Sequence, residues 1–279
     1  MNTKSQPAAQ PAALVTGASS GMGKSIAKRL IADGYLVYVA ARSIDKMADL
    51  AALGAVPLKL DISKDADIVA AVEAITRRSG GVEVLVNNAG YGLYGPVEDI
   101  SVDEARYQFE VNVFGPARLT QLLLPAMRDR RKGTIVNITS MGGKIYTLLG
   151  AWYHATKHAL EGWSDSLRLE LAPFGIRVVV IEPGQIETGF GAAASQGLRE
   201  RSRVTAYATV ANRVADVMDQ SYGHGRGTDP KVIADVVGDA VRAARPRTRY
   251  AAGKYARLMI GVRKWLGDRV FDRLILSQM

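Results

Sequence analysis

Tyr153 and Lys157 stand four residues apart in the stretch Tyr-His-Ala-Thr-Lys, and Ser140 lies thirteen positions upstream. Four residues along a helix bring two side chains to one face. A cation beside a phenol favours the phenolate, so the spacing predicts a tyrosine pKa drawn down. Such a pair can exchange a proton with an oxygen near neutral pH, which neither side chain does well alone. Tyr-x-x-x-Lys also arises by chance in many proteins, so the elements around it decide whether it is chemistry. His154 and His158 follow the two members of the pair and point about 100° away around a helix, which favours packing or surface roles for both. With His224 they are too few and too scattered for a metal cluster, and the absence of cysteine excludes disulfides and thiolate sites.

The elements that must position the pair alternate between strand and helix. Residues 13–16 run straight into Gly17-Ala-Ser19-Ser20-Gly21-Met22-Gly23, after which Ile26, Ala27, Leu30 and Ile31 make a helical stripe ended by Gly34. Strand, glycine turn and helix form a setting in which backbone can approach a phosphate and a helix N-terminus faces it. A second strand, 35–41, ends at Arg42-Ser43. An acidic residue there would bind the ribose of NAD, whereas a guanidinium suits a 2′-phosphate, so NADP(H) is favoured over NAD(H). A third strand, 56–60, ends in Asp61-Ile62, where the carboxylate could take an adenine amino group or cap the next segment of chain. After a short helix at 43–53 and another at 65–79, strand 82–86 leads into Asn87-Asn88-Ala89-Gly90. Its amides can tie strands together while Ala89 and Gly90 admit a cofactor.

Ser101-Val-Asp-Glu104 has the form of a capping box, opening a helix expected to run to about 131. Pro116 deprives the Asn112 carbonyl of its partner, so a kink is expected there, with that carbonyl beside the active site. Strand 134–139 delivers Ser140, a glycine-rich loop comes next, and helix 152–174 bears the pair. Strand 176–181 leads to Glu182-Pro183-Gly184 and on to Ile186 and Thr188. Residues 189–228 have weak periodicity and suggest a mobile segment over a site. A helix at 230–244, a last strand at 249–252 and a basic amphipathic helix over 254–279 complete the chain.

The pattern predicts an α/β fold: a single Rossmann-type doubly wound parallel sheet of about seven strands with helices on both faces. One domain is expected over 12–279, after a disordered lead-in at 1–11 that lacks the apolar core of a signal peptide. Charge is uneven: residues 189–279 hold 16 Lys+Arg against 8 Asp+Glu, while the rest is close to neutral. Nothing beyond that charge points to nucleic acid. For the basic terminal helix, an apolar face closing the pocket or an interface is favoured over a membrane-surface contact.

Taken together, TGASSGMG at 16–23, NNAG at 87–90, Asn112, Ser140, Tyr153-x-x-x-Lys157 and PG…T at 183–188 resemble the short-chain dehydrogenase/reductase family over roughly residues 12–188. The sequence around Ser140 and Tyr153 is similar to its hydroxysteroid and retinol dehydrogenase-like branch. The resemblance implies hydride transfer between a nicotinamide and a carbonyl or carbinol carbon. Tyr153 would be the general acid/base, Ser140 would polarise the substrate oxygen, Lys157 would lower the tyrosine pKa and hold the nicotinamide ribose, and Asn112 would support a water-linked proton relay. Gly17, Gly21 and Gly23 would shape the pyrophosphate turn, Asn88 would line the cofactor cleft, and Ile186 and Thr188 would meet the carboxamide. It also implies a cytoplasmic homodimer or homotetramer built on helices 101–131 and 152–174. Leu93, Tyr94, Tyr146, Leu148, Leu149, Trp152 and Phe190 are available around the pocket and suggest a fairly apolar substrate. The alternative reading is a NADP-binding redox sensor without turnover, against which the intact Ser, Tyr and Lys argue.

Overall fold

Strands buried on both faces are dominated by apolar residues, as the central runs in this chain are, while the two edge strands are only partly buried. In the computed structural model, which describes residues 10–222 and 225–277, they form β1 (Ala12–Thr16), β2 (Leu36–Ala41), β3 (Val56–Lys59), β4 (Val84–Asn87), β5 (Gly133–Ile138), β6 (Ile176–Pro183) and β7 (Arg249–Ala252). All pair in parallel, in the order β3-β2-β1-β4-β5-β6-β7. Around them lie α1 (Gly21–Ala32), α2 (Ala48–Ala52), α3 (Asp65–Ser79), α4 (Val102–Phe109), α5 (Gly115–Asp129), α6 (Ala151–Leu171), α7 (Gly189–Ser202), α8 (Ala208–Tyr222), α9 (Pro230–Arg242) and α10 (Ala256–Leu276). The lead-in lies outside the described residues except for Gln10 and Pro11, and so does His224.

Two apolar layers sandwich the sheet. On one face Ile26 and Leu30 of α1 meet Leu50 of α2 and Ile233 and Val237 of α9. On the other, Ile68 and Ile75 of α3, Leu119 and Leu123 of α5 and Leu167 and Leu171 of α6 cover the sheet. Each such side chain, fully buried, contributes roughly 1.5–3 kcal/mol. Strand order reverses beside β1, which opens a crevice beyond the carboxyl ends of β1 and β4.

Three segments depart from expectation. The helix expected over 101–131 begins with the capping box: Glu104 N–H donates to Ser101 Oγ and Ser101 N–H to Glu104 Oε2. It then widens into a π-turn over Glu110–Phe114 before α5 starts, with Pro116 in its first turn. Pro116 lacks an N–H, and an inserted wide turn accommodates that loss without breaking the axis. The helix expected at 43–53 is a 3₁₀ turn, Asp45–Met47, continued by the short α2. Residues 189–222 are two helices packed on each other. Ala194 and Leu198 of α7 meet Ala211, Val214, Ala215 and Met218 of α8, and it is the Gly- and Ala-rich α7 that leaves little amplitude in a hydropathy pattern.

Candidate active site

At the crevice, β1 hands the chain to a turn that only glycine tolerates at its first position, where Gly17 has φ 67°. A Cβ at Gly23 would lie 2.3 Å from the Gly17 carbonyl oxygen, so α1 starts hard against the turn. Ser20 precedes α1 with extended backbone and makes no side-chain cap, leaving the helix N-terminus directed at the crevice. Thr16 Oγ1 accepts the N–H groups of Asn88 and Ala89, each at 3.0 Å, and Asn88 Nδ2 donates to the Thr16 carbonyl at 2.8 Å. These bonds lock the end of β1 to the end of β4.

A cavity of about 570 Å³ runs along this edge, bordered by Gly17, Ser19, Ser20, Arg42, Asp61 and Ile62, with Ala89 and Gly90 behind. Asp61 Oδ1 accepts from the Ser63 N–H and hydroxyl. Burial opposes ionisation of this carboxyl, but those bonds, with Lys64 and Arg42 nearby, hold its pKa below the ordinary value. A smaller cavity of about 70 Å³ shares Gly90 and Tyr91 with the first and continues past Met22, Asn88, Ser140, Tyr153 and Lys157 to Pro183, Gly184, Ile186 and Thr188. Gly21 sits behind Thr188, whose Cγ2 a Cβ there would approach to 3.0 Å.

Helix α6 and the end of β5 bring Tyr153, Lys157 and Ser140 together. Ser140 is extended, and its Oγ accepts the Gly142 N–H at 2.9 Å. Lys157 Nζ donates to the Ile138 carbonyl at 3.0 Å and lies 6.0 Å from the centre of the Tyr153 ring. Burial lowers the Lys157 pKa to about 8, against the opposing charge of Glu161. The tyrosine differs from expectation: burial pushes its pKa up, a hydrogen bond with Ser140 opposes, and the neighbouring Tyr222 adds to the rise. Desolvation of the phenolate outweighs an ammonium that is turned toward a backbone carbonyl. Tyr153 therefore keeps its proton at neutral pH, and Ser140 is placed to share one oxygen with it.

Asn112, in the π-turn, is buried. Its Oδ1 accepts the Tyr91 N–H at 3.1 Å, and its Nδ2 donates to the Tyr91 carbonyl and to Thr156 Oγ1, both at 3.0 Å. The side chain thus ties the strand-end segment after Gly90 to α6. His154 is a latch as well. Its Nε2 accepts from the Thr147 N–H at 3.0 Å, so Nδ1 carries the proton and donates to the Gly142 carbonyl at 2.9 Å. His158 Nδ1 donates to the His154 carbonyl. Both histidines hold structure, and the His154 bonds hold the loop between Ser140 and Tyr153.

The α7–α8 pair roofs the tyrosine. Phe190 and Tyr94 rings lie 5.4 and 5.5 Å from that of Tyr153, and Leu148 and Leu149 join the same apolar cluster. The remaining apolar candidates lie elsewhere: Leu93 and Trp152 pack with Ile100 in a separate cluster, and Tyr146 meets Phe271 of α10 edge to face. Lys46, Tyr91 and Tyr107 also border the larger cavity, and Tyr222 the smaller. They belong to no motif. Tyr91 comes directly after NNAG and Lys46 stands four residues beyond Arg42, which are the signals that mark them, whereas nothing in the sequence marks Tyr222.

The chain matches the short chain dehydrogenase family model over residues 11–199. A 3-ketodihydrosphingosine reductase from Bacteroides thetaiotaomicron is 32% identical over 264 residues, covering 93% of this chain and 94% of the relative. A short-chain dehydrogenase from Streptomyces avermitilis superposes with a TM-score of 0.75 at 34% identity, over 93% of this chain and 97% of its own. An actinorhodin polyketide ketoreductase variant solved with NADPH gives a TM-score of 0.73 at 33% identity, over 86% of this chain and 94% of its own. With its seven-stranded parallel sheet and these likenesses, the chain belongs to the short-chain dehydrogenase/reductase family and is an oxidoreductase.

Proposed function

We propose that this protein interconverts a carbonyl and an alcohol on a fairly apolar substrate, using NADP(H). The observation that carries the reading is a pair of adjoining cavities that share Gly90 and Tyr91, with Arg42 and the glycine turn bordering one and Ser140, Tyr153 and Lys157 the other. NADP(H) suits the residues present. The α1 N-terminus and the backbone at Gly17, Gly21 and Gly23 would hold its pyrophosphate, and Arg42 with Ser43 and Lys46 its 2′-phosphate. Asp61 and Ile62 would meet the adenine, Asn88, Ala89 and Gly90 the ribose, and Pro183, Gly184, Ile186 and Thr188 the nicotinamide end. When bound, the cofactor supplies or takes up a hydride at C4 of its nicotinamide.

The chain's own residues supply the proton and the orientation. Ser140 donates a hydrogen bond to the substrate oxygen, and Tyr153, protonated at neutral pH, gives that oxygen its proton during reduction. Lys157 holds the ribose hydroxyls and, once turned from the Ile138 carbonyl, favours the phenolate left behind. Asn112 braces the strand end against α6 and supports a relay of water toward Lys157. A sensor without turnover has no use for a protonated tyrosine and a serine hydroxyl lining the same cavity. The apolar roof of Tyr94, Leu148, Leu149 and Phe190 supports an apolar substrate, as does the likeness to a reductase named for a sphingoid ketone. The NADPH-bound relative supports the cofactor assignment.

Initial rates with aliphatic ketones and each cofactor test this. The expected result is a higher kcat/KM with NADPH than with NADH, and a drop of roughly 10–100-fold for NADPH alone in Arg42→Ala, from the lost charged hydrogen bonds. A preference for NADH would overturn the assignment. Exposed Phe114 and Leu169 on the long helices support a homo-oligomer built there. Light scattering is expected to give a dimer or tetramer, and a monomer at micromolar concentration would contradict it.

A further inference from the structure

Helix α10 is held to the body lightly. Ala256 and Phe271 are its buried residues, the Arg263 guanidinium lies 5.3 Å from the Tyr146 ring centre, and the Tyr146 hydroxyl donates to Asp272 at 2.7 Å. None of its residues borders either cavity, so it does not close the pocket. Roughly opposite Ala256, residues Leu258, Val262, Trp265 and Leu266 recur at i, i+4, i+7 and i+8, a single stripe. Trp265 is 77% exposed, Leu258 61% and Leu266 55%. Gly267, at φ 72°, breaks the helix. Beyond it, with Phe271 turned inward, Arg269, Arg273 and Leu276 fall on the outer side. Residues 254–276 hold six Lys and Arg against two Asp. Both aspartates are engaged, Asp268 by Arg263 and Asp272 by Tyr146.

We propose that α10 docks the protein peripherally on an anionic lipid bilayer, the Leu258–Val262–Trp265–Leu266 stripe entering the interface and the flanking Arg and Lys meeting headgroup phosphates and carboxylates. Cations beside an exposed indole and leucines are the chemistry a charged lipid surface takes up, since indole rings settle at headgroup level and the basic side chains remain in water. The helix lies on the surface rather than through it, because no described helix is long and apolar enough to cross a membrane. A second copy is a poorer occupant. Two-fold pairing along this face would set the same surplus of cations against itself. Tyr146, which α10 grips, belongs to the loop between Ser140 and Tyr153, so docking sets that loop beside the lipid.

Co-sedimentation with large unilamellar vesicles tests the surface independently of turnover. The full chain is expected to pellet with phosphatidylcholine vesicles containing roughly a third phosphatidylserine, and to be released by salt and by omission of the anionic lipid. Arg257→Gln, Arg269→Gln and Arg273→Gln combined should lower partitioning roughly a hundredfold, at about fivefold for each charge. Tryptophan emission should shift to shorter wavelength on adding the anionic vesicles, and the shift should vanish in Trp265→Phe, a variant that disturbs no buried contact. Equal pelleting with and without phosphatidylserine, undiminished pelleting of the triple variant, or a shift retained in Trp265→Phe would each overturn the proposal. So would the same shift on concentrating the protein without lipid, which would mark this face as a contact between copies.

Discussion

Tyr153 sits beneath Tyr94, Phe190 and Tyr222, and that cover governs its proton more than the lysine one turn away does. A sequence shows which residues are four apart; it does not show how much water each retains. The proximity of Tyr153 and Lys157 was legible for that reason, and the direction of the phenol's pKa was not. His154 carries a second consequence of burial. Its pKa is pushed down to about 4, while in the unfolded chain it takes a proton near the ordinary value of 6.5. The unfolded chain therefore binds more protons between these values. The stability this neutral latch contributes is full above about pH 6.5 and is lost as pH falls toward 4. Urea unfolding of wild type and His154→Gln should show a stability gap that narrows by up to about 3 kcal/mol over this range. A gap independent of pH would contradict the latch.

At the scale of elements, the seam between α4 and α5 positions Asn112. A Cβ on Gly115 would lie 2.2 Å from the Ile62 carbonyl oxygen and 3.1 Å from that of Glu110. The wide turn and the β3 exit are thus pressed together where only a glycine fits. Gly115→Ala is expected to cost about 1–3 kcal/mol through overpacking, a fall of several degrees in Tm by calorimetry. Because Ile62 borders the larger cavity, NADPH affinity should fall in the same variant. An unchanged Tm would place slack at this contact. Pro116 made the irregularity legible, since a missing N–H must be accommodated somewhere. Its form was not, because choosing a π-turn over a kink depends on the β3 exit packed against it. Residues 189–222 were illegible for another reason: α7 is built largely from Gly, Ala and Ser and packs Gly191 so closely that a Cβ would lie 2.3 Å from Tyr222, a contact that carries almost no hydropathy signal and hides the hairpin it makes with α8.

At the scale of the whole molecule, side chains far apart in sequence meet because parallel strands deliver their carboxyl ends to one edge. Gly17, Asn88, Ser140 and Pro183 lie just after β1, β4, β5 and β6 or end them, and the succession of those strands along the chain was readable from alternating apolar runs and helical stripes, while their order in the sheet comes from the structure. The motif residues on that edge were readable with them. Tyr222 was not, since it reaches the site from a helix hairpin whose packing only the tertiary structure fixes. The proposed reaction rests on Tyr153, at the inner end of this edge, passing a proton to the substrate oxygen. The direct measurement is NADPH consumption by wild type and Tyr153→Phe on a ketone that wild type reduces, with NADPH binding monitored by fluorescence. The expected result is a kcat lower by roughly 10²–10⁴-fold with binding nearly unchanged. A Tyr153→Phe enzyme that retains the wild-type kcat would contradict it.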